Sequence, residues 1–125
     1  MCLVRCGSAP LAVRCDEALL SACEALSKGA PELVRLDGTG LPIRVGRPVL
    51  EAWGAFSGGV VTVMPPGEWV NGRRLTPEAV GVIVAHEIGH ALGLPHTALG
   101  LMRAEVDGTC IGREAECLRE ALDGR

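Results

Sequence analysis

The chain has 125 residues, which is enough for one hydrophobic core, so we expect a single domain spanning residues 1–125. Its formal net charge of -3 argues against nucleic acid or an anionic membrane surface as a partner. No apolar run approaches the roughly 20 residues that a membrane-spanning helix requires. With 2 Trp, 1 Phe and no Tyr, the core must be built mainly from valine, leucine and alanine.

The chain contains 6 cysteines, an even number. We interpret them as disulfides of a protein that works outside the cytosol, secreted or in a periplasm, with free buried thiols as the alternative. Because Met1 is followed by Cys2 and Arg5 rather than by an apolar segment, we interpret the chain as a mature form whose signal peptide has been removed. The spacing leaves the pairing open, with Cys110 and Cys117 as the best candidates for a local disulfide. The cysteines to be paired are Cys2, Cys6, Cys15, Cys23, Cys110 and Cys117.

The first part of the chain predicts a strand, a helix and a hairpin. Residues 11–15 are predicted to form a short strand. Residues 16–28 have apolar side chains at helical spacing, with Asp16 as a suitable N-cap, which predicts an amphipathic helix. Two short apolar runs, 33–36 and 41–45, flank an Asp-Gly turn and predict a β-hairpin. The proline in the second run predicts that this run lies at a sheet edge.

The central part of the chain predicts strands that are separated by turns. Residues 49–56 are expected to hold an extended segment, and the Ser-Gly-Gly sequence at 57–59 predicts a turn or bulge. Residues 60–64 form the clearest strand, since they are rich in β-branched side chains and are followed by Pro-Pro-Gly. Residues 69–75 are predicted to be a loop.

The C-terminal part of the chain predicts two helices. Thr76 is a suitable N-cap for a helix over residues 77–92, which is apolar nearly all round and is therefore expected to be buried. Gly81 and Gly89 lower the helix propensity of this segment, so we interpret them as positions of close packing. Residues 112–122 are predicted to form a closing helix.

Residues 86–96 read HEIGHALGLPH and contain all 3 histidines of the chain. Because His86 and His90 are four residues apart on the predicted helix, their imidazoles project from one face. Gly93 allows the helix to end, and His96 follows that turn. Three neutral nitrogen ligands that leave a fourth position open are typical of a catalytic zinc site. We therefore predict one Zn²⁺ ion held by these histidines, against the less favoured interpretation of a buried helix with incidental histidines.

This HExxHxxGxxH motif resembles that of the metzincin metallopeptidases. Thr97, directly after the third histidine, is similar to the residue that the matrixin family carries there. Residues 99–102 resemble the Met-turn, a methionine-bearing turn beneath the metal, with Met102 as an ordinary core residue being the alternative. The resemblance implies a compact α+β zincin fold, in which a small twisted mixed sheet carries a backing helix, an active-site helix and a C-terminal helix.

The resemblance also implies a strand that binds substrate. In metzincins the strand before the active-site helix borders the cleft and pairs with an extended peptide through its open edge. In this sequence that role would fall on Val60, Val61, Thr62, Val63 and Met64. The alternative is an interior strand that makes no contact with substrate.

The motif predicts how a peptide bond would be hydrolysed. Zinc lowers the pKa of a bound water, and Glu87 acts as the general base that takes its proton and later delivers it to the leaving amine. Glu87 must therefore not be a metal ligand. Because the chain has no Tyr, the oxyanion assistance that some metzincins obtain from a tyrosine is absent or comes from a backbone donor.

These expectations together predict a secreted zinc endopeptidase that acts as a monomer on extended protein or peptide substrates. One alternative is a zinc-binding pseudo-protease or latent form with a recognition role, and another is a hydrolase of a non-peptide amide. Arg5, Cys6 and Gly7 are similar to the core of the cysteine switch in matrix metallopeptidase propeptides. A disulfide cysteine is the favoured interpretation of Cys6.

Overall fold

The computed structural model of the chain describes residues 9–48, 52–70, 72–106 and 108–124. Within these ranges the fold is α+β, with a mixed five-stranded sheet and three α-helices, which confirms the predicted class. The strands of the sheet are β1 (Leu11–Cys15), β2 (Val34–Leu36), β3 (Leu41–Val45), β4 (Gly54–Ser57) and β5 (Val60–Val63). The helices are α1 (Leu20–Gly29), α2 (Pro77–Ala91) and α3 (Glu114–Asp123).

The strand order is β2-β1-β3-β5-β4, and β4 alone among these strands runs antiparallel to its neighbour. The predicted hairpin of residues 33–36 and 41–45 is wrong, because β2 and β3 pair in parallel with opposite sides of β1. The connection between them crosses the backbone of β1, where a Cβ atom on Gly40 would lie 2.5 Å from the carbonyl carbon of Ala12. The Asp-Gly sequence does form a turn, but turn chemistry does not determine which strand pairs with which.

The proline of β3 does not lie at a sheet edge as predicted, since β3 lies between β1 and β5. Pro42 is the second residue of β3 and precedes the first residue pair with β5, which joins Ile43 to Val61. Proline is tolerated near the start of a strand, where the loss of its N–H has least effect on the hydrogen-bonded ladder.

β4 and β5 form an antiparallel hairpin at one end of the sheet. Gly58 and Gly59 join them with φ angles of 60° and 76°, the positive values that a type I′ turn requires, so the turn predicted at 57–59 is confirmed. Because β5 pairs with β3 on one side and β4 on the other, the open edge predicted for residues 60–64 is wrong. The chain before the turn covers that side of β5, so β4 is the edge strand among the described residues.

The helix predicted over residues 16–28 begins with a tighter turn. A 3₁₀ segment, Glu17–Leu19, precedes α1. Asp16 stands at its N-terminal end, but its side chain makes no capping hydrogen bond. The Asp16 carboxylate instead accepts a hydrogen bond from the backbone N–H of Val45 at 2.9 Å, which joins the start of this helical region to the end of β3.

The predicted loop at residues 69–75 contains a second, two-stranded sheet. Its strands are β6 (Trp69–Val70) and β7 (Arg73–Arg74). The backbone N–H of Leu75 donates to the carbonyl of Glu68 at 2.8 Å and extends the pairing beyond these strands. Two residues per strand are too few for an alternating hydrophobic pattern, so the sequence carried no signal for it.

Helix α2 lies at the centre of the fold. It packs against α1 and α3 and against β4 and β5. Nine of its 15 residues are buried, which confirms the prediction of a buried helix. A Cβ atom would lie 3.1 Å from the Glu114 carboxylate if added to Gly81, and 2.5 Å from the Met102 sulfur if added to Gly89. Both glycines are therefore positions of close packing, and α2 holds its side chains in a well-defined place.

Two disulfides join elements of the described structure. Cys110–Cys117 connects the 3₁₀ segment Gly108–Cys110 to α3, which confirms the local pair suggested by the sequence. Cys15–Cys23 connects the end of β1 to α1. Each disulfide therefore fixes the beginning of a helix to the segment before it.

The remaining cysteines, Cys2 and Cys6, lie outside the described residues, as does the segment 5–7 that is similar to a cysteine switch. The two disulfides are consistent with a protein that works outside the cytosol. Among the described helices, none is long and apolar enough to cross a membrane.

Candidate metal centre

Helix α2 carries two of the three histidines and ends directly after them. His86 and His90 are one helical turn apart near its C-terminus. The helix end predicted at Gly93 is present, and this residue has a φ of 93°. The N–H groups of Gly93 and Leu94 donate to carbonyls of the last turn of α2 at 2.9 and 3.0 Å, the pattern of a Schellman motif. The chain therefore reverses here, and His96 approaches the other two histidines.

The three imidazole rings converge on a common point. One ring nitrogen from each of His86, His90 and His96 lies within 4.8 Å of the others, and this is the one such group of ligand-type side chains in the described part of the chain. The Nε2 atoms of His86 and His90 are 3.1 Å apart. Two nitrogens bound tetrahedrally to one zinc at about 2.0 Å would be about 3.3 Å apart. The arrangement can therefore hold a metal ion.

Backbone carbonyls orient two of the rings. The Nδ1 atom of His86 is 2.7 Å from the carbonyl oxygen of Leu101, and that of His90 is 2.7 Å from the carbonyl oxygen of Leu94. Because a carbonyl can only accept, each Nδ1 carries the hydrogen and each Nε2 presents a lone pair. Two such lone pairs repel at 3.1 Å unless a cation or a shared proton lies between them.

Burial also bears on the protonation state of His86. It lowers the pKa of His86, and the nearby His90 and His96 lower it further. A lowered pKa favours the neutral imidazole, which is the form that binds a metal ion. His86 is therefore suited to act as a ligand of a metal ion.

Glu87 is a buried carboxylate next to the histidine cluster. The residue is only 6% exposed, and burial raises the pKa of its carboxyl to about 7. The carboxylate lies against the start of β4, where a Cβ atom on Gly54 would be 3.1 Å from its Oε2 atom. Glu87 is not a member of the group of converging ligand atoms.

Met102 is buried against the last turns of α2. It is 1% exposed, and its sulfur occupies the space that a side chain on Gly89 would need. The backbone N–H of Thr97 donates to the carbonyl of Met102 at 2.9 Å, and Gly100 has a φ of 80°. Residues 97–102 thus form a closed turn beside α2. Its role as a Met-turn stays a prediction.

A cleft with a volume of about 390 Å³ opens beside the cluster. His86, Glu87 and His96 form part of its wall. Its apolar lining comes from α2, the β6–β7 hairpin, the segment before β4 and the chain on both sides of Met102. It includes Trp53, Val70, Val82, Ile83, Leu101 and Val106. Its other charged lining residues are Arg73, Arg103 and Glu105. The cleft has both the volume and the apolar lining that small ligands or single side chains require.

The predicted site residues divide into two groups. The histidines and Glu87 lie together around one end of the cleft, with His90 adjoining the two lining histidines. Residues 60–64, by contrast, contribute nothing to the lining, which is formed on this side by residues 52–54. The segment that turns into β4 therefore takes the place that the sequence assigned to β5.

Some parts of the site were missed from the sequence. The carbonyls of Leu94 and Leu101 orient the histidines, but backbone atoms leave no residue-specific signal. Gly54 permits the close approach of Glu87, and a glycine before the predicted turn was a signal for such an approach. Arg73 lies in the short hairpin that the sequence did not reveal.

No family model matches the chain. Comparison with curated proteins and with solved structures gave no match either.

Proposed function

We propose that this protein is a zinc-dependent endopeptidase, a compact relative of the matrixin-like metzincins that its HExxHxxGxxH motif resembles. The observation that carries the proposal is the convergence of three histidine nitrogens within 4.8 Å, beside a buried glutamate and an open cleft. A set of three imidazoles suits Zn²⁺ and leaves room for a water or a substrate oxygen as the fourth ligand. Two disulfides support the proposal of a secreted enzyme.

The residues around the cleft have separate roles in the proposed reaction. His86, His90 and His96 hold the ion as neutral ligands. Zinc, when bound, acidifies a water molecule and polarises the scissile carbonyl. Glu87 accepts a proton from the attacking water and then donates it to the leaving amine.

The surroundings of Glu87 suit a general base. Burial alone raises its carboxyl pKa to about 7, so the group lies near the pKa at which proton transfer in both directions is efficient at neutral pH. A dication at the histidines favours the charged form of this carboxylate. The ionised base that starts the reaction would therefore predominate in the zinc-loaded protein.

The proposed substrate is an extended peptide that adds to the sheet along β4. This strand lies at the edge of the sheet in the described part of the chain, and its first residue, Gly54, lies against Glu87. A peptide paired with β4 would therefore pass close to the base and to the histidine cluster. Backbone pairing of this kind accepts many sequences, since it uses main-chain hydrogen bonds.

The experiment that tests the proposal compares casein cleavage by zinc-loaded wild type, Glu87→Gln and Glu78→Gln. Glu78 is exposed in the first turn of the same helix, so Glu78→Gln is a matched control for the loss of one carboxylate. We expect wild type and control to cut, and Glu87→Gln to be slower by at least about 100-fold while still binding one zinc.

Two outcomes would count against the proposal. If Glu87→Gln cuts casein as fast as wild type, Glu87 is not the general base. If neither protein cuts while both hold zinc, the chain is a zinc-binding pseudo-protease or a latent form.

A further inference from the structure

The cleft has a different charge from the rest of the molecule. The whole chain carries a net charge of -3, whereas the charged lining outside the histidines consists of Arg73, Arg103, Glu87 and Glu105. These four side chains balance one another, so a dication at the histidines would make the cleft positive. A positive cleft in a negative protein attracts the negative part of a ligand and orients it.

One of the two arginines is already engaged. The guanidinium of Arg73 lies 4.0 Å from the carboxylate of Glu105, and both side chains are about 70% exposed. Arg103, by contrast, forms no ion pair with any residue that the structure describes. It is partly buried, and its backbone N–H donates to the carbonyl of Gly100 at 3.2 Å.

A partly buried guanidinium has unused binding capacity. It presents its donors in a planar fork that matches a carboxylate. Removal of water from such a group is unfavourable unless an anion or acceptor replaces it. Arg103 directly follows the closed turn of residues 97–102 and lies at the wall of the same cleft as Glu87 and His96.

We propose that the cleft selects substrates that carry a carboxylate beside the scissile bond, and that Arg103 is the specificity-determining residue that binds it. The inference rests on the endopeptidase function proposed for this site. An aspartate or glutamate side chain presents this carboxylate within an endopeptidase substrate, whereas a free C-terminus presents it only where the scissile bond lies near the end of the substrate. The experiment therefore has to distinguish these two sources.

The test uses quenched fluorescent peptides in which one residue is changed from Gln to Glu. The substitution is moved through the three positions on each side of the scissile bond, with a free or an amidated C-terminus. Wild type should have a kcat/KM at least about fivefold higher for Glu than for Gln at one position, or for the free over the amidated terminus. Which of the two preferences is found identifies the source of the carboxylate.

The variants are Arg103→Gln and Arg74→Gln. Arg74 is the exposed neighbour of Arg73 in β7 and does not line the cleft, so it controls for the loss of one surface charge. The ratio of the two kcat/KM values should fall to about one in Arg103→Gln and stay at its wild-type value in Arg74→Gln. The wild-type ratio should also fall in 0.5 M salt, because salt screens a partly exposed ion pair.

The outcomes separate this inference from the function on which it rests. Equal cleavage of Glu and Gln peptides at every position, with no effect of amidation, overturns the inference and leaves the endopeptidase intact. A carboxylate preference that survives in Arg103→Gln overturns the assignment to Arg103. If wild type cuts neither peptides nor casein, the proposed function fails, and the inference is overturned with it.

Discussion

Backbone carbonyls control the chemistry of His86 and His90. The acceptor for His90 is Leu94, four residues away, while the acceptor for His86 is Leu101, in the turn before Met102. One ring is therefore oriented by the local helix end and the other by tertiary contact. A change in the turn would rotate His86 without altering any of the ligands themselves.

At the scale of single residues, Gly89 offers a sharp test of how the turn meets the helix. We expect Gly89→Ala to lower the free energy of unfolding by about 1 to 3 kcal/mol, because the new Cβ atom would lie 2.5 Å from the Met102 sulfur. In an open helix position the same change raises stability by about 0.5 to 1 kcal/mol. Urea unfolding of the metal-free proteins measures the difference.

Gly81→Ala is the matched control for that substitution. It lies in the same helix, and its Cβ atom would meet the flexible end of the Glu114 side chain at 3.1 Å. The same oxygen accepts a hydrogen bond from the backbone N–H of Gly112 at 2.9 Å, which a small shift would weaken but need not break. We therefore expect a smaller loss of stability than for Gly89→Ala. If Gly89→Ala were as stable as Gly81→Ala, the close contact between Met102 and α2 would be contradicted.

The residues of the metal cluster could be predicted from the sequence, whereas their orientation could not. Histidines at helical spacing, a glycine that ends the helix and a third histidine after it leave few ways to arrange the rings. The partners that fix those rings are carbonyl oxygens, which every residue carries. Gly54 and Arg103 reach the site through the fold, so neither belongs to the motif that revealed the rest.

At the scale of elements, long periodic segments were predicted well and strand pairing was not. The predicted helix over 77–92 corresponds to α2, Pro77–Ala91, because the proline at its start and its long apolar pattern both favour a helix. Thr76 stands at the N-cap position as predicted, but its side chain makes no capping hydrogen bond. The order of β1, β2 and β3 depends on β1 pairing with both of the later strands. Local turn signals carry no information about such pairing. The open edge of β5 was predicted wrongly for the same reason. The strand before Gly58, β4, pairs with the side of β5 that was expected to be open.

The two described disulfides should contribute similarly to stability. They close loops with sequence separations of 8 and 7 residues. Loop-closure entropy predicts that the double variant Cys15→Ala, Cys23→Ala loses about 2 to 3 kcal/mol of unfolding free energy. Guanidinium unfolding under non-oxidising and non-reducing conditions measures this loss.

The second pair provides the control for that experiment. The double variant Cys110→Ala, Cys117→Ala should lose a similar amount, since its loop has nearly the same length. If either double variant were as stable as wild type, the prediction that its disulfide stabilises the fold through loop closure would be contradicted. A large difference between the variants would point to packing of the buried sulfurs instead.

At the scale of the whole molecule, an ion pair joins the C-terminal helix α3 to the segment that follows α1. The guanidinium of Arg119 in α3 donates to the carboxylate of Glu32, with one of the contacts at 2.8 Å, and to the carbonyl of Gly29 at 2.7 Å. The hydrogen bonds from Arg119 lower the pKa of Glu32 from 4.5 to about 2. This pair therefore links α3 to the end of α1.

The lowered pKa determines the pH at which this link contributes to stability. The folded state favours the charged carboxylate, so the contribution is complete above the unfolded pKa of 4.5 and is lost as the pH falls towards about 2. Glu32→Gln should be less stable than wild type at pH 6, and the difference should shrink at pH 3. Because both side chains are largely exposed, the effect is expected to be small.

Urea unfolding at the two pH values tests this prediction. Glu24→Gln, on an exposed position of α1, is the control for the removal of one carboxylate. A difference between wild type and Glu32→Gln that stays constant between pH 6 and pH 3 would contradict the assigned role of the Arg119 pair.

The central claim is that one metal ion is held by the three histidines, and the zinc content of the purified protein tests it most directly. Wild type, Glu87→Gln and His96→Ala are loaded with zinc, dialysed and analysed by mass spectrometry, with circular dichroism to verify folding. His96 is exposed, so its removal should leave the core intact. The account predicts one zinc per chain in wild type and Glu87→Gln, and a marked loss in His96→Ala. Wild type without zinc, or His96→Ala with zinc held as tightly as in wild type, would contradict it.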